Sequence, residues 1–482
     1  MFAADAGRSQ HFSLIEQGWL LDFSRLPLTR PQLEKVAGSI EAAGLADAVK
    51  RLFGGAIVNP SEQRPALHMA LRAADPASFP GADPEQTLAG HRHRFLELAG
   101  DFHGGGAGLT DLIHVGIGGS DLGPRLVADA LDHNDGSVRV HWLSTVDARR
   151  TQRLLNSLDP SSTGVVIASK SFSTEETLLQ AATLRDWLGD HFINQAWAAT
   201  ASPDSALAFG LADGHILPFP DWTGGRFSLW SSVGVSAAAV IGRARFEQLL
   251  QGAAQADAVF SGQAPLKSLA VHVAMLMHFL RRGLGANTLG VVAYDPRLAL
   301  LGDYLQQLVM ESLGKGVDLD DAPLTETTSP LIFGGRGTDL QHSIFQALHQ
   351  APDSHPLLLV AALESGHDRQ DWHRVQLAHL LAQATAMARG REDDRPCRRL
   401  PGNRPVMTLI AERLDARALG FLLASFEHAV FALSVLWRIN PFDQWGVEEG
   451  KRLAAAYKES LAECGDLDLE AWLTLSDRGM RS

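Results

Sequence analysis

The sequence is poor in the residues that build covalent or metallic frameworks, with 2 cysteines, Cys397 and Cys464, among 482 residues. Two thiols cannot make a disulfide scaffold or a cysteine metal cluster, so a reducing, cytoplasmic setting is expected. Positive charge is also short, with 42 Lys and Arg against 55 Asp and Glu and a net charge of −13. That balance leaves no global nucleic-acid footprint, and an anionic ligand would need a local positive pocket. Low-complexity tracts and repeats of fixed period are absent, and 45% hydrophobic with 20% charged residues is an ordinary globular mix. The stretch Met1 to Arg8 carries Asp5 where a signal peptide would begin its apolar region, so the chain is expected to stay inside the cell. One apolar run reaches bilayer length, Ala418 to Trp437, but Glu427 and His428 at its middle make it a buried core helix.

A length of 482 residues exceeds one ordinary core and suggests two or three domains at roughly 100 to 200 residues each. The first hundred residues read as helices broken by loops, with Asn59 to Arg72 read as a capped helix and His91-Arg-His-Arg94 as a solvated face. From Asp111 short β-branched runs alternate with helical stretches: Leu112–Ile117, Val138–Leu143 and Gly164–Ala168, then Leu289–Ala293, Pro356–Val360 and Val406–Ile410. The alternation implies two α/β units, each a parallel sheet covered by helices on both faces. Ligands are then expected at the carboxyl ends of the strands, and the boundary between the units falls between residues 240 and 285.

Chemistry-bearing residues gather at those strand ends. Gly116-Ile-Gly-Gly-Ser-Asp-Leu-Gly-Pro124 follows the first strand, where glycines admit a close ligand or simply make a tight turn. It lacks dinucleotide-fingerprint spacing and a Walker lysine. Ser169-Lys-Ser-Phe-Ser-Thr-Glu-Glu-Thr177 collects hydroxyls, a cation and a helix N-terminus, as phosphate binding requires, while Ser173 to Glu176 also fits a capping box. Gly224 and Gly225 deliver Arg226, whose permanent charge can stabilise an oxyanion, although an ordinary salt bridge would use it equally.

Tyr304 to Lys315 reads as a helix with Gln307 and Glu311 one turn apart and Gly314 as a left-handed cap. Glu311 sits against the negative end of the helix dipole, which disfavours its charged form and suits a general base; alone, such a residue is usually just solvated. His342, within Gly337 to Gln346, could move protons near neutral pH. Asn440 to Lys451 is a turn entering a C-terminal helix.

Taken together, Gly-Ile-Gly-Gly-Ser, Ser-Lys-Ser-Phe-Ser-Thr-Glu-Glu-Thr, Gly-Gly-Arg-Phe-Ser, Gln-Gln-Leu-Val-Met-Glu-Ser, Gln-His-Ser and Phe-Asp-Gln-Trp-Gly-Val-Glu-Glu-Gly-Lys resemble, in order, the glucose-6-phosphate isomerase family. The resemblance implies a helical N-terminal part (1–105), two doubly wound domains of the sugar-isomerase (SIS) type (106–245 and 246–450) and a C-terminal helical tail (451–482). It implies reversible glucose 6-phosphate to fructose 6-phosphate isomerisation through a cis-enediol, with no metal or organic cofactor, no nucleic acid and no membrane. By motif, Glu311 resembles the base, His342 and Lys451 the ring-opening pair, and Arg226 the enediolate cation. Ser169, Lys170, Ser171 and Thr174 resemble the phosphate cradle, and Gly119, Ser120, Gly225, Gln307 and Gln444 further substrate contacts. The family's site lies at a homodimer interface, so His342 is expected to reach the partner subunit's Glu311.

Two positions depart from the family pattern: Leu313 replaces an asparagine beside the base, and Leu340 replaces a glycine before Gln341-His342. The alternatives are an isomerase of another sugar phosphate, such as mannose 6-phosphate, and a non-catalytic sugar-phosphate-binding regulator. The regulator would need the cradle but not Glu311, His342 and Lys451 together.

Overall fold

The computed structural model describes residues 7–76, 79, 88–106, 108–262, 264–463, 468, 469, 471–473 and 476. The segment Met1 to Ala6, Cys464 and part of the expected tail lie outside the described residues. Two compact units result, Met1–Pro441 and Phe442–Ser482.

The first unit contains two sheets. Strands β3 (Asp111–Val115), β4 (Arg139–Leu143), β5 (Thr163–Ala168), β6 (Ala196–Thr200) and β7 (Ile216–Pro218) form one sheet in the order β4-β3-β5-β6-β7, parallel throughout. Strands β8 (Thr288–Ala293), β9 (Leu331–Arg336), β10 (Leu357–Ala362) and β11 (Val406–Ala411) form a second parallel set in the order β9-β8-β10-β11. In both sets the chain steps outward once, returns past its first strand and continues on the other side. This is the doubly wound order, with its ligand crevice where the direction reverses, beside β3 and β5 in the first sheet and beside β8 and β10 in the second. Every residue of β3, β5, β6 and β10 is buried, which is why these strands lack inside-outside alternation.

The N-terminal part differs from its helical expectation. Helices Arg30–Ala42, Leu45–Phe53 and Leu88–Gly104 are present, but β1 (Ser13–Glu16) and β2 (Trp19–Arg25) form a hairpin that joins the second sheet antiparallel to β11. Trp19, Leu21 and Phe23 alternate into the core, a period-two signal that a helical reading overlooks. Asn59 to Arg72 is not one capped helix. Asn59 and Arg64 form an antiparallel bridge, and only His68–Leu71 winds, as a 3-10 turn. Pro60 and Pro65 forbid a continuous helix here by removing two N–H donors and pushing their predecessors into extended backbone. In the basic cluster, Arg92 Nη1 and Arg94 Nη2 donate to the carbonyls of Ala73 and Gly214 at 2.7 and 2.6 Å.

The apolar run becomes the helix Ala416–Trp437, nearly all of it buried. Its polar pair is satisfied inside the protein. Glu427 accepts from Arg72 and, at 2.8 Å, from Trp230 Nε1, while His428 Nε2 meets Asp257 at 2.7 Å. Arg72 closes the cluster on Asp257 at 2.6 and 2.8 Å. A buried charge set of this kind is strongly destabilised when one partner is removed, typically by about 3–5 kcal/mol.

The second unit carries a 3-10 turn, Trp445–Val447, and the helix Glu448–Glu463. Gln444 opens the turn by accepting from Val447 N at 3.2 Å. Lys451, 67% exposed, pairs with Glu448 at 2.8 Å one turn away.

Candidate active site

The helix Leu301–Leu313 follows β8 and places Glu311 in its last turn. The Glu311 carboxylate lies 3.5 Å from Arg226 Nη1, with the arginine side chain 2% exposed and the glutamate 22%. Arg226 is held on every side. Its Nε donates to the buried Ser312 Oγ at 2.6 Å, its Nη2 donates to the Pro441 carbonyl, and its guanidinium lies 5.4 Å from the centre of the Phe227 ring. A cation fixed in this way needs no reorganisation when negative charge develops beside it.

Gly314 ends the helix, but not as a left-handed cap, since its φ is −77°. Glycine is required there by space, because a Cβ would stand 2.5 Å from the Met310 carbonyl oxygen. Leu313 is fully buried, so the residue that replaces the family's asparagine faces the core while Glu311 faces Arg226.

The Gly116–Ser120 loop closes on the same place. A Cβ on Gly119 would lie 2.1 Å from the Gly225 carbonyl and 2.6 Å from Arg226 N, so the two glycine loops touch backbone to backbone. Gln307 Nε2 sits 2.9 Å from where a Cβ of Gly118 would be, one helical turn before Glu311. Ser228 Oγ donates to the Gly225 carbonyl at 2.7 Å and steadies the turn that delivers Arg226. Ser120 is anchored through its carbonyl, 2.7 Å from His114 Nε2, while His114 Nδ1 lies 2.8 Å from Ser236 Oγ. Burial pushes His114 down to about 4, against the pull of the Ser120 carbonyl, so the imidazole is neutral and its Nε2 carries the proton.

The second loop of this crevice follows β5. Ser169 is buried and its Oγ has no hydrogen-bond partner, a polar group left ready for a ligand. Lys170 is half-buried; burial lowers its pKa, as do the nearby charges of Arg64 and Arg226, while Glu62 and Asp221 oppose them. Phe172 has a φ of +50° and buries its ring against Phe209, with centroids 5.7 Å apart. That ring pins the loop, offsetting a left-handed backbone that costs about 1–3 kcal/mol. Ser171 is exposed and accepts from Ser173 Oγ at 2.7 Å. The capping box at Ser173 is not formed: the N-cap is Thr174, whose side chain makes no capping bond, and the helix runs from Glu175 to Leu188.

Thus Gly119, Gly225, Arg226, Gln307 and Glu311 form one constellation, to which Lys170 is electrostatically coupled. His342 is exposed at the end of a short helix, Gly337–Gln341, after β9. Lys451 and Gln444 belong to the second unit. Two residues were not singled out from the sequence. Thr223 is buried with its Oγ1 lacking a partner, three residues before Arg226. Arg64 donates to the Asp221 carbonyl at 3.2 Å and lies 3.5 Å from its carboxylate.

Comparison with known proteins gives a consistent placement. The family described as phosphoglucose isomerase matches residues 22–468. A glucose-6-phosphate isomerase of Stenotrophomonas maltophilia is 44% identical over 464 residues, 96% of this chain and 91% of that protein. One from Xanthomonas campestris is 42% identical over 472 residues, covering 97% and 93%. The crystal structure of a glucose-6-phosphate isomerase from Chlamydia trachomatis superposes with a TM-score of 0.86 at 29% identity, covering 99% of this chain and 94% of that one. With a match over nearly its whole length and the glycine loops, arginine and carboxylate in one crevice, the chain belongs to the phosphoglucose isomerase family.

Proposed function

We propose that the protein interconverts D-glucose 6-phosphate and D-fructose 6-phosphate. The observation that carries this reading is the pairing of Glu311 with a buried, fully oriented Arg226 beside the Lys170 loop. In the open-chain aldose, Glu311 removes the proton from C2 as the C1 carbonyl gains electron density, and the cis-enediolate forms. Arg226 stabilises the oxygen on which that charge develops. The proton of the C2 hydroxyl then passes to the C1 oxygen, giving the C2 enolate, and Glu311 returns its proton to C1 as the C2 carbonyl forms, which gives the ketose. Ser169, Lys170, Ser171 and Thr174 hold the phosphate, and Gly119, Ser120, Gly225, Gln307 and Gln444 contact the sugar. Remote phosphate binding then contributes to orienting the reacting carbons. His342 and Lys451 assist opening of the ring, with His342 exchanging a proton at the ring oxygen.

A coupled assay of fructose 6-phosphate conversion tests the reading. Turnover by the unmodified chain, with Glu311→Gln about 10²- to 10⁴-fold slower and sugar-phosphate binding retained, is expected. Binding without turnover by the unmodified chain would instead indicate a regulator.

We further propose a cytoplasmic homodimer in which His342 serves the partner's site. Its exposure supports this arrangement. Mixing inactive Glu311→Gln and His342→Ala subunits should restore activity in hybrid dimers, whereas a site complete within one chain would stay inactive.

A further inference from the structure

The helix that precedes His342 is short, yet a catalytic histidine must be aimed to within a fraction of an ångström. The Gly337–Gln341 helix contains a single turn, and His342 follows as its C-terminal cap, with its N–H donating to the Asp339 carbonyl at 3.0 Å. One residue touches both ends of this helix. Tyr294 stands directly after β8, where its N–H donates to the Val360 carbonyl of β10 at 2.7 Å, and its side chain is buried.

At the start of the helix, Gly337 lies flat on the tyrosine ring. A Cβ on Gly337 would be 2.8 Å from two of the ring carbons, so no other residue fits without displacing the ring or the helix. At its end, the Tyr294 hydroxyl donates to Gln341 Oε1 at 2.8 Å, one residue before His342. Gln341 in turn reaches His379 Nδ1 at 3.2 Å on the helix Gln370–Arg389. Between those ends, Leu340 packs against the apolar cluster that contains Tyr294, and Ile344 and Phe345 take the chain back into it just after His342. Burial keeps the tyrosine hydroxyl protonated, and so a donor, far above neutral pH.

We infer that Tyr294 is the positioning residue for His342, clamping the Gly337–Gln341 helix from the ring face and from the hydroxyl. This rests on the reading of His342 as the proton-transfer group at the ring oxygen. Leu340 then has a physical account: where the family has glycine, this chain adds a side chain that docks the helix on the same cluster, so aim comes from packing as well as from the hydroxyl.

Tyr294→Phe removes one oxygen and leaves the ring under Gly337. The expected result is a kcat lower by about 3- to 10-fold, the size of one lost hydrogen bond, with KM and thermal midpoint close to wild type. Gln341→Met, which removes the acceptor, should give the same loss, and the two changes together no more than either one. His342→Ala should cost about 10²-fold or more, and adding Tyr294→Phe to it should cost nothing further, because the group being aimed is gone. Losses that multiply in that double variant, or wild-type kcat in Tyr294→Phe beside a strong loss in His342→Ala, would overturn the clamp alone. Full activity in His342→Ala would overturn the assignment of the histidine, and the inference with it.

Discussion

The two parallel sheets share a winding order but carry different chemistry at their crevices. Beside β3 and β5 stand glycine backbones, serine hydroxyls and a lysine, groups that hold an anion. Behind β8 and β9 stand Glu311 and His342, groups that exchange protons. The contrast extends to the means of support. The loops of the first sheet are fixed by backbone contact and a buried phenylalanine, whereas in the second the short helix before His342 is fixed through side chains. On the proposed reading, this duplicated architecture is divided into a binding half and a proton-moving half. Damage to the first should appear chiefly in KM, and damage to the second chiefly in kcat.

Arg226 lies where the halves meet and should give the largest effect. Arg226→Lys keeps the charge but loses the fork that binds Ser312 and the Pro441 carbonyl together. A kcat lower by about 10²- to 10³-fold is expected, as for loss of one oriented oxyanion donor. A change confined to KM would place Arg226 with the binding groups and blur the division.

The rigidity of the first sheet has a pH signature through His114. Its pKa in the folded protein is about 4 against an ordinary 6.5, so between these values the unfolded chain binds a proton that the native one refuses. Stability conferred by the neutral imidazole is therefore complete above 6.5 and is lost as pH falls toward 4, by about 3 kcal/mol. Denaturant unfolding of wild type and His114→Asn across that window should show the difference between them shifting against wild type by that amount as the pH is lowered. A pH-independent difference would mean that the buried ring already accepts the proton.

How far the sequence foretold this division depends on which forces set each part. Strands β3, β4, β5, β8, β10 and β11 were legible because each is a short run with β-branched residues. Strand β6 was not: Ala196-Trp-Ala-Ala-Thr200 has weak strand propensity and is extended because it is buried between neighbours. Strand β9 ends in Gly334-Gly335-Arg336, which reads as a turn. Glu311, Arg226 and Lys170 could be named from motif and chemistry, but their meeting from three separate segments of the chain is a tertiary fact. The left-handed Phe172 and the bridge that sets Arg64 leave no mark in composition or period. Tyr294 was invisible for a related reason, since its role lies in touching two residues of another segment.

Lys170 gives the sharper test of the binding half. Removing a partly buried ammonium from a phosphate costs the equivalent of a charged hydrogen bond, so Lys170→Ala should raise KM for fructose 6-phosphate by about 10- to 100-fold. The kcat should fall much less, and inhibition by inorganic phosphate should weaken in parallel. A kcat loss as large as the KM change would show phosphate binding energy being used mainly in the transition state.

Arg64 should give the smallest effect. Its guanidinium is held against Asp221, five residues before Arg226, and its charge acts on Lys170. Both cations would face a bound phosphate, but the Arg64 side chain is 38% exposed, so water and salt screen it far more than they screen Lys170. Arg64→Gln should therefore raise KM by only about 2- to 5-fold, at unchanged kcat, and the difference from wild type should shrink as ionic strength rises. If Arg64 instead serves only to tie Asp221 in place, KM should respond no more than kcat and salt should leave the difference unaltered. A salt-sensitive KM effect would extend the binding half beyond the first sheet to the bridged segment Asn59 to Arg64, which the sequence alone had presented as a helix.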